Sequence, residues 1–175
     1  EIEYNQGKFI VNGEATEVAI VNAGLNISKN KNELYKIYPR IGEIPFDSTR
    51  KMMTTIHKNG NGYLIITKGA PDVLLNRCTK INENEKENIL DLNKKNYVIR
   101  YNDEMAENSL RVIAVAYKML NSLPNKIDTN TIENDLVFEG LIGMIDPPRK
   151  GVKEAVATCK KAGIKTVMIT GDHIV

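Results

Sequence analysis

"KMMTTIHKNGNGYLIIT", residues 51–67, holds two β-prone runs separated by an Asn-Gly-Asn-Gly sequence. Asn-Gly is the strongest short-range hairpin signal, because both residues tolerate the positive φ of a tight turn. The stretch predicts an antiparallel hairpin, and the remaining elements are read outward from it. Upstream, "YPRIGEIPF" (38–46) reads as extended and "GKFIVNG" (7–13) as a short strand entering a turn. Between them Ala15, Val18 and Val21 recur at helical spacing, predicting a helix that opens near Ala15 and stops at Gly24. Downstream, "APDVLLNRC" (70–78) predicts a helix with Pro in its first turn. "ENEKENILDLNKKNYVIRYNDEMAENS" (83–109) predicts a mostly helical, polar stretch broken near Asn96. "LRVIAVAYKML" (110–120) and "LVFEGLIGMID" (136–146) read as strands, and the Asn-rich "NSLPNKIDTNTIENDL" (121–136) as a polar surface loop.

The pattern changes after Pro147 and Pro148. Val152, Ala155, Val156, Cys159 and Ala162 share one helical face, with Gly163 as a stop. "IKTVMIT" (164–170) follows as a nearly all-apolar run suited to a parallel strand buried on both sides, and it ends in "GDH". That is half of a doubly wound unit, in which ligands sit at strand C-termini. The fold class expected is therefore α+β. An antiparallel sheet flanked by helices takes residues 1–145, and a truncated α/β segment takes residues 146–175.

Composition limits the function classes. The 175 residues suffice for one domain with a real core, and 42% of them are hydrophobic. Lys plus Arg is 24 against 22 acidic residues, a balance that argues against nucleic-acid binding by bulk charge. Two cysteines and two histidines in no metal spacing leave no zinc signature, and Cys78 and Cys159 read as reduced, core-facing thiols. No apolar run approaches the roughly 18–20 residues of a membrane-spanning helix, so the polypeptide as given is expected to be soluble.

Neither common nucleotide fingerprint, GxxxxGK[ST] or GxGxxG, is present. Phosphate binding would need another architecture. "TKGAPD" places Lys68 at a strand end, then Gly69, which permits close backbone approach, then a helix start. Lys68 reads either as a ligand-facing cation or as a solvated loop residue. Phe46 reads either as a stacking platform or as a core residue at a strand edge. Arg50 and Lys51 read as cations on an exposed strand. In "VMITGDH", Thr170, Gly171 and Asp172 sit where a buried strand emerges, a place suited to holding phosphoryl oxygens or to a capped turn.

Six segments, "GEATE" (13–17), "FDSTRKMM" (46–53), "KGAPD" (68–72), "LRVIAVAY" (110–117), "IDPPR" (145–149) and "VMITGDH" (167–173), occur in one order. In that order they resemble the cytoplasmic headpiece of P-type cation-transporting ATPases, calcium-pump branch. The resemblance implies a nucleotide-binding domain, with its first strands expected upstream of Glu1, followed by re-entry into a haloacid-dehalogenase-like phosphorylation domain. It implies that Glu17 lies near the adenine amino group, that Phe46 stacks on the ring, and that Lys51, Lys68 and Gly69 line the pocket. Arg111 would face the phosphate chain, and Asp146 and Arg149 would lie at the hinge and phosphate side. Thr170, Gly171 and Asp172 would help hold the transferred phosphoryl group and its Mg2+. ATP is the implied ligand, with Mg2+ in the full-length parent. The implied partners are the remaining phosphorylation, actuator and membrane domains of the same chain, at the cytoplasmic face of a membrane.

The sequence departs from the family at Ser48, where some calcium pumps carry an arginine that reaches the phosphates; whether Arg50 replaces it is open at this level. The 175 residues also contain no "DKTGT", "GDGxND" or "TGES" sequence. The expectation is an ATP receptor without its nucleophile, catalytically inactive alone. The competing classes are the cap and partial core of a soluble haloacid-dehalogenase-type phosphatase, and a regulatory nucleotide-binding module.

Overall fold

The computed structural model describes residues 2–5, 8–146 and 148–167. The chain divides into two compact units, Glu1–Met144 and Ile145–Val175. In the first, a two-stranded hairpin of β1 (Ile2–Asn5) and β2 (Lys8–Val11) precedes α1 (Ala15–Asn26) and α2 (Lys31–Ile37). A seven-stranded sheet follows, built from β3 (Arg40–Asp47), β4 (Met52–Asn59), β5 (Gly62–Gly69), β6 (Cys78–Glu83), β7 (Lys86–Ile89), β8 (Arg111–Leu120) and β9 (Leu136–Met144). Its order is β3-β4-β5-β8-β9-β6-β7, and every neighbouring pair is antiparallel except β6–β9. Three short or medium helices, α3 (Pro71–Leu74), α4 (Leu92–Glu107) and α5 (Thr129–Ile132), interrupt the strands.

The hairpin predicted for 51–67 is β4–β5, closed by Gly60 and Asn61 with Gly60 at φ 56°. Alternation then decides the faces. Met52, Thr54 and Ile56 on β4, and Ile65, Thr67 and Gly69 on β5, are buried on one face. That face carries the core. Met52 and the small Ala114 and Ala116 pack with Leu74 and Leu75 at α3, Val98 of α4, Leu136 and Phe138. Beside them Ile56 and Ile65 pack against Ile132 of α5. The opposite face is only partly buried. There the Tyr35 ring of α2 meets His57 edge-on at 6.4 Å, and the His57 ring lies 3.0 Å from the Tyr38 carbonyl.

Two expectations fail within this unit. The start of the stretch expected to be mostly helical, residues 83–91, is not helical: β6 and β7 form a hairpin whose turn residues, Asn84 and Glu85, are both left-handed at φ 52° and 63°. No glycine advertises that turn, and the local charge content suits a helix. Tertiary pairing prevails, because β6 docks in parallel on β9 with Cys78 opposite Leu136 and Ile81 opposite Phe138. The helix begins only at α4, N-capped by the Asp91 carboxylate accepting from the Lys94 N–H at 2.9 Å, and it passes Asn96 unbroken. The segment 121–136 is likewise no mere surface loop. Asp128 and Thr131 form a reciprocal capping box that starts α5, and Ile132 and Glu133 are buried.

Cys78 is buried against the Leu74 carbonyl, 3.2 Å from its sulfur, and burial pushes its thiol up to about 12. Since the thiolate is the nucleophile, Cys78 should resist iodoacetamide at pH 8 in the native state and react only after denaturation. Mass-spectrometric peptide mapping checks this; rapid native labelling at Cys78 would contradict the packing.

In the second unit α6 (Val152–Lys161) is the predicted helix, with Val152 and Val156 substantially exposed. Of the strand expected at 164–170, only 164–167 lie among the described residues, and these carry no regular structure.

Candidate functional site

One end of the large sheet gathers the candidate residues of the first unit. β3 ends, β4 begins, β5 ends and β8 begins there, as Asp47 pairs with Met52, Met52 with Gly69 and Gly69 with Ala114. The loop between β3 and β4 is a tight 48–51 turn. The Asp47 carbonyl accepts from the Lys51 N–H at 2.6 Å, the Asp47 carboxylate accepts from the Arg50 N–H at 2.8 Å, and Lys51 closes the turn at φ 52°.

Phe46 lies in a register shift between Ile44 and Asp47. Ile44 pairs with Thr54 and Asp47 with Met52, both on the core face, so Pro45 and Phe46 together oppose the single residue Met53. This is a β-bulge, a device that re-aims a side chain. It assigns Phe46 to the face carrying Met53 and leaves it 63% exposed, which removes the strand-core reading. Lys68 pairs with Met53 on that same face, and Val115 pairs with Lys68 from the next strand. With strands about 4.8 Å apart, the Phe46 and Lys68 backbones lie roughly 10 Å apart. Arg111 shares the parity of Val115 and lies four residues toward the start of β8, about 13 Å along the strand.

Glu17, in the first turn of α1, forms an ion pair with Lys68. A carboxylate from the helix thus meets the cation from the sheet over the face that Phe46 occupies. Lys51 is exposed, 3.9 Å from the Asp72 carboxylate. Gly69 is buried on the other face: a Cβ there would lie 2.5 Å from the Lys51 carbonyl oxygen and 2.6 Å from the Met52 Cβ. The absence of a side chain at 69 therefore admits the 48–51 turn against the end of β5.

Arg50 does not lie on an exposed strand. Its side chain turns inward, 14% exposed, and donates to both Glu133 carboxylate oxygens at 2.9 and 3.1 Å, to the Met52 carbonyl at 3.0 Å and to the Pro45 carbonyl at 2.7 Å. These four bonds hold the guanidinium within the domain, against the β3–β4 turn and Glu133. Met53, Val115 and Glu133 are the residues of this region that sequence reasoning missed. Only the pairing register exposes the first two. The Asp128–Thr131 spacing just before an apolar residue was the available signal for the third.

Asp146 and Arg149 belong to the second unit and are exposed. Thr170, Gly171 and Asp172 lie outside the described residues. Among the described residues no three His, Cys, Asp or Glu side chains gather as a metal site. A concavity of about 320 Å³ between α4 and the sheet is lined by Ile81, Tyr97, Val98 and Phe138. Its one lining cation, Lys94, is bonded to Glu83 at 2.5 Å, and most of the remaining lining is apolar or aromatic.

An exposed aromatic, a carboxylate and three cations at one end of a mostly antiparallel sheet make that end of this α+β domain the candidate ligand site. Residues 1–151 match the family model described as P-type ATPase, cytoplasmic domain N, and the chain belongs to that family. It is 48% identical over 161 residues to calcium-transporting ATPase 1 of Bacillus cereus, covering 92% of this chain and 18% of that protein. To the calcium-transporting ATPase of Bacillus subtilis it is 40% identical over 174 residues, covering 99% and 19%. To the sodium/potassium-transporting ATPase subunit alpha of Drosophila melanogaster it is 38% identical over 174 residues, covering 93% and 17%. The chain thus spans less than a fifth of the length of these relatives.

Proposed function

We propose that residues 1–145 are the ATP-binding domain of a P-type cation-transporting ATPase, that residues 146–175 begin its phosphorylation domain, and that the parent transports calcium across a membrane from whose cytoplasmic face this domain projects. The bulge that exposes Phe46 beside Lys68 and Glu17 carries the reading. A flat base stacks on the ring, the Glu17 carboxylate accepts from the adenine amino group, Lys51, Lys68 and Gly69 line the pocket, and Arg111 faces the phosphates. Calcium rests on the names of the bacterial relatives. In the full-length parent Mg2+ would neutralise the phosphates, and Thr170, Gly171 and Asp172, with Asp146 and Arg149 nearby in sequence, would serve the transferred phosphoryl group.

Stacking on one aromatic contributes roughly 1–3 kcal/mol, whereas phosphoryl-transfer sites draw their strength from metal and positioning contacts that the described residues do not assemble. AMP should therefore bind nearly as well as ATP. GMP should bind more weakly, since its base presents a carbonyl where adenine presents an amine, acceptor against acceptor at Glu17. Titration followed by amide chemical shifts tests both. A large loss of affinity on removing the β- and γ-phosphates would refute the adenine-dominated reading.

Phosphoryl transfer needs a nucleophile in line with the γ-phosphate. None of the 175 residues stands in a "DKTGT" context. This polypeptide alone should thus retain no acid-stable label from γ-labelled ATP, however much Mg2+ is supplied. Label lost on substituting Asp146 or Asp172 would instead mark a self-sufficient phosphotransferase.

A further inference from the structure

Glu133 is a buried carboxylate, 1% exposed, just beyond α5 and on the opposite face of the sheet from Phe46. It is fully engaged. Besides the two Arg50 bonds it accepts from the Thr54 hydroxyl at 2.7 Å, and the Thr67 hydroxyl lies 2.9 Å from that of Thr54. With Thr54 donating to the carboxylate, Thr67 donates to Thr54. The network fixes where the Arg50 guanidinium sits.

The other half of that guanidinium donates to the Pro45 carbonyl at 2.7 Å. Pro45 has no N–H, and the bulge takes Pro45 and Phe46 out of the regular ladder, so this carbonyl needs a partner from outside the strands. It belongs to the peptide plane that leads into Phe46. A ring 63% exposed has little packing to hold it, and its direction is set by its backbone. Replacing a buried ion pair by apolar groups of similar volume is often neutral for stability, so stability alone is a weak account of this one. We propose that the Arg50–Glu133 pair is a positioning device, reaching through the sheet to aim Phe46 at its ligand. The inference rests on the adenine-platform reading of Phe46.

Arg50→Lys separates aim from charge. It leaves Glu133 paired, but a lysine ammonium lacks the planar fork that spans Glu133 and the Pro45 carbonyl together. Adenosine affinity, measured by titration on the 175-residue chain, should fall about tenfold. Amide hydrogen exchange at Phe46 and Asp47 should accelerate at least tenfold, with exchange in β5 and β8 unchanged. The double variant Arg50→Met with Glu133→Met should keep the thermal transition within a few degrees and show the same two losses. It keeps the test decisive should Arg50→Lys fail to fold. Wild-type affinity and wild-type exchange at Phe46 in either folded variant would overturn the proposal. A different failure is separable: if the unmodified chain binds no adenosine, or Phe46→Ala binds it undiminished, the adenine reading falls. The exchange at Phe46 and Asp47 then still decides whether the pair holds the bulge.

Discussion

Phe46→Ala should weaken adenosine and AMP binding roughly 5- to 150-fold, the equivalent of the 1–3 kcal/mol that stacking on an aromatic contributes. The thermal transition should hardly move, because truncating a side chain that is 63% exposed removes little buried area. The combination is diagnostic. A core phenylalanine would show the reverse, about 3–5 kcal/mol of lost stability, and calorimetry beside the titration tells the two apart. Lys68→Ala should weaken binding less, since Lys68 already shares its charge with Glu17. A collapsed transition in Phe46→Ala with retained affinity in whatever folds would reject the platform.

Gly69→Ala should destabilise the domain by about 3 kcal/mol, at the upper end of what overpacking costs. The added Cβ would meet the Lys51 carbonyl at 2.5 Å and the Met52 Cβ at 2.6 Å. Neither yields easily. The carbonyl accepts from the Ala70 N–H at 3.0 Å, and Met52 is fully buried in the main core. Relief requires the 48–51 turn to lift away, which shifts Lys51 and loosens the seat of Arg50. Denaturant unfolding measures the stability loss, and an unchanged midpoint would show that the turn is softer than its hydrogen bonds imply.

The parts of this domain legible in the sequence are those specified by local chemistry. Asn-Gly-Asn-Gly announces β4–β5, alternation announces β8, and Pro at the start of "PDVL" announces α3. The family motifs bring Phe46, Lys68 and Glu17 forward as candidates. What was hidden depends on distant pairing. β6 and β7 carry a helix-like charge content and a turn of two left-handed residues, neither of them glycine, and only docking on β9 makes them strands. Arg50 reads as a solvated cation because its partner is 83 residues away. The bulge at Pro45–Phe46, which sets the face the ring occupies, is a matter of register that residue types near it do not encode.

That separation of 83 residues between Arg50 and Glu133 also orders the assembly of the site in time. Phe46, Lys51, Met53 and Lys68 lie on consecutive hairpins, and hairpins close within microseconds. Pairing of β5 with β8 must first close a longer loop, a step whose entropic cost rises with length and which slows folding. Glu133 arrives with α5, ahead of β9 and well after the residues it helps to place. On a chain emerging from the ribosome, the ring and both lysines are therefore gathered early, while Arg50 waits without a carboxylate. Under the proposed reading of Phe46, a half-made domain carries the parts of its ligand surface before Glu133 is in place to hold Arg50, and the ring gains its aim only once residues near the far end of the first unit have docked.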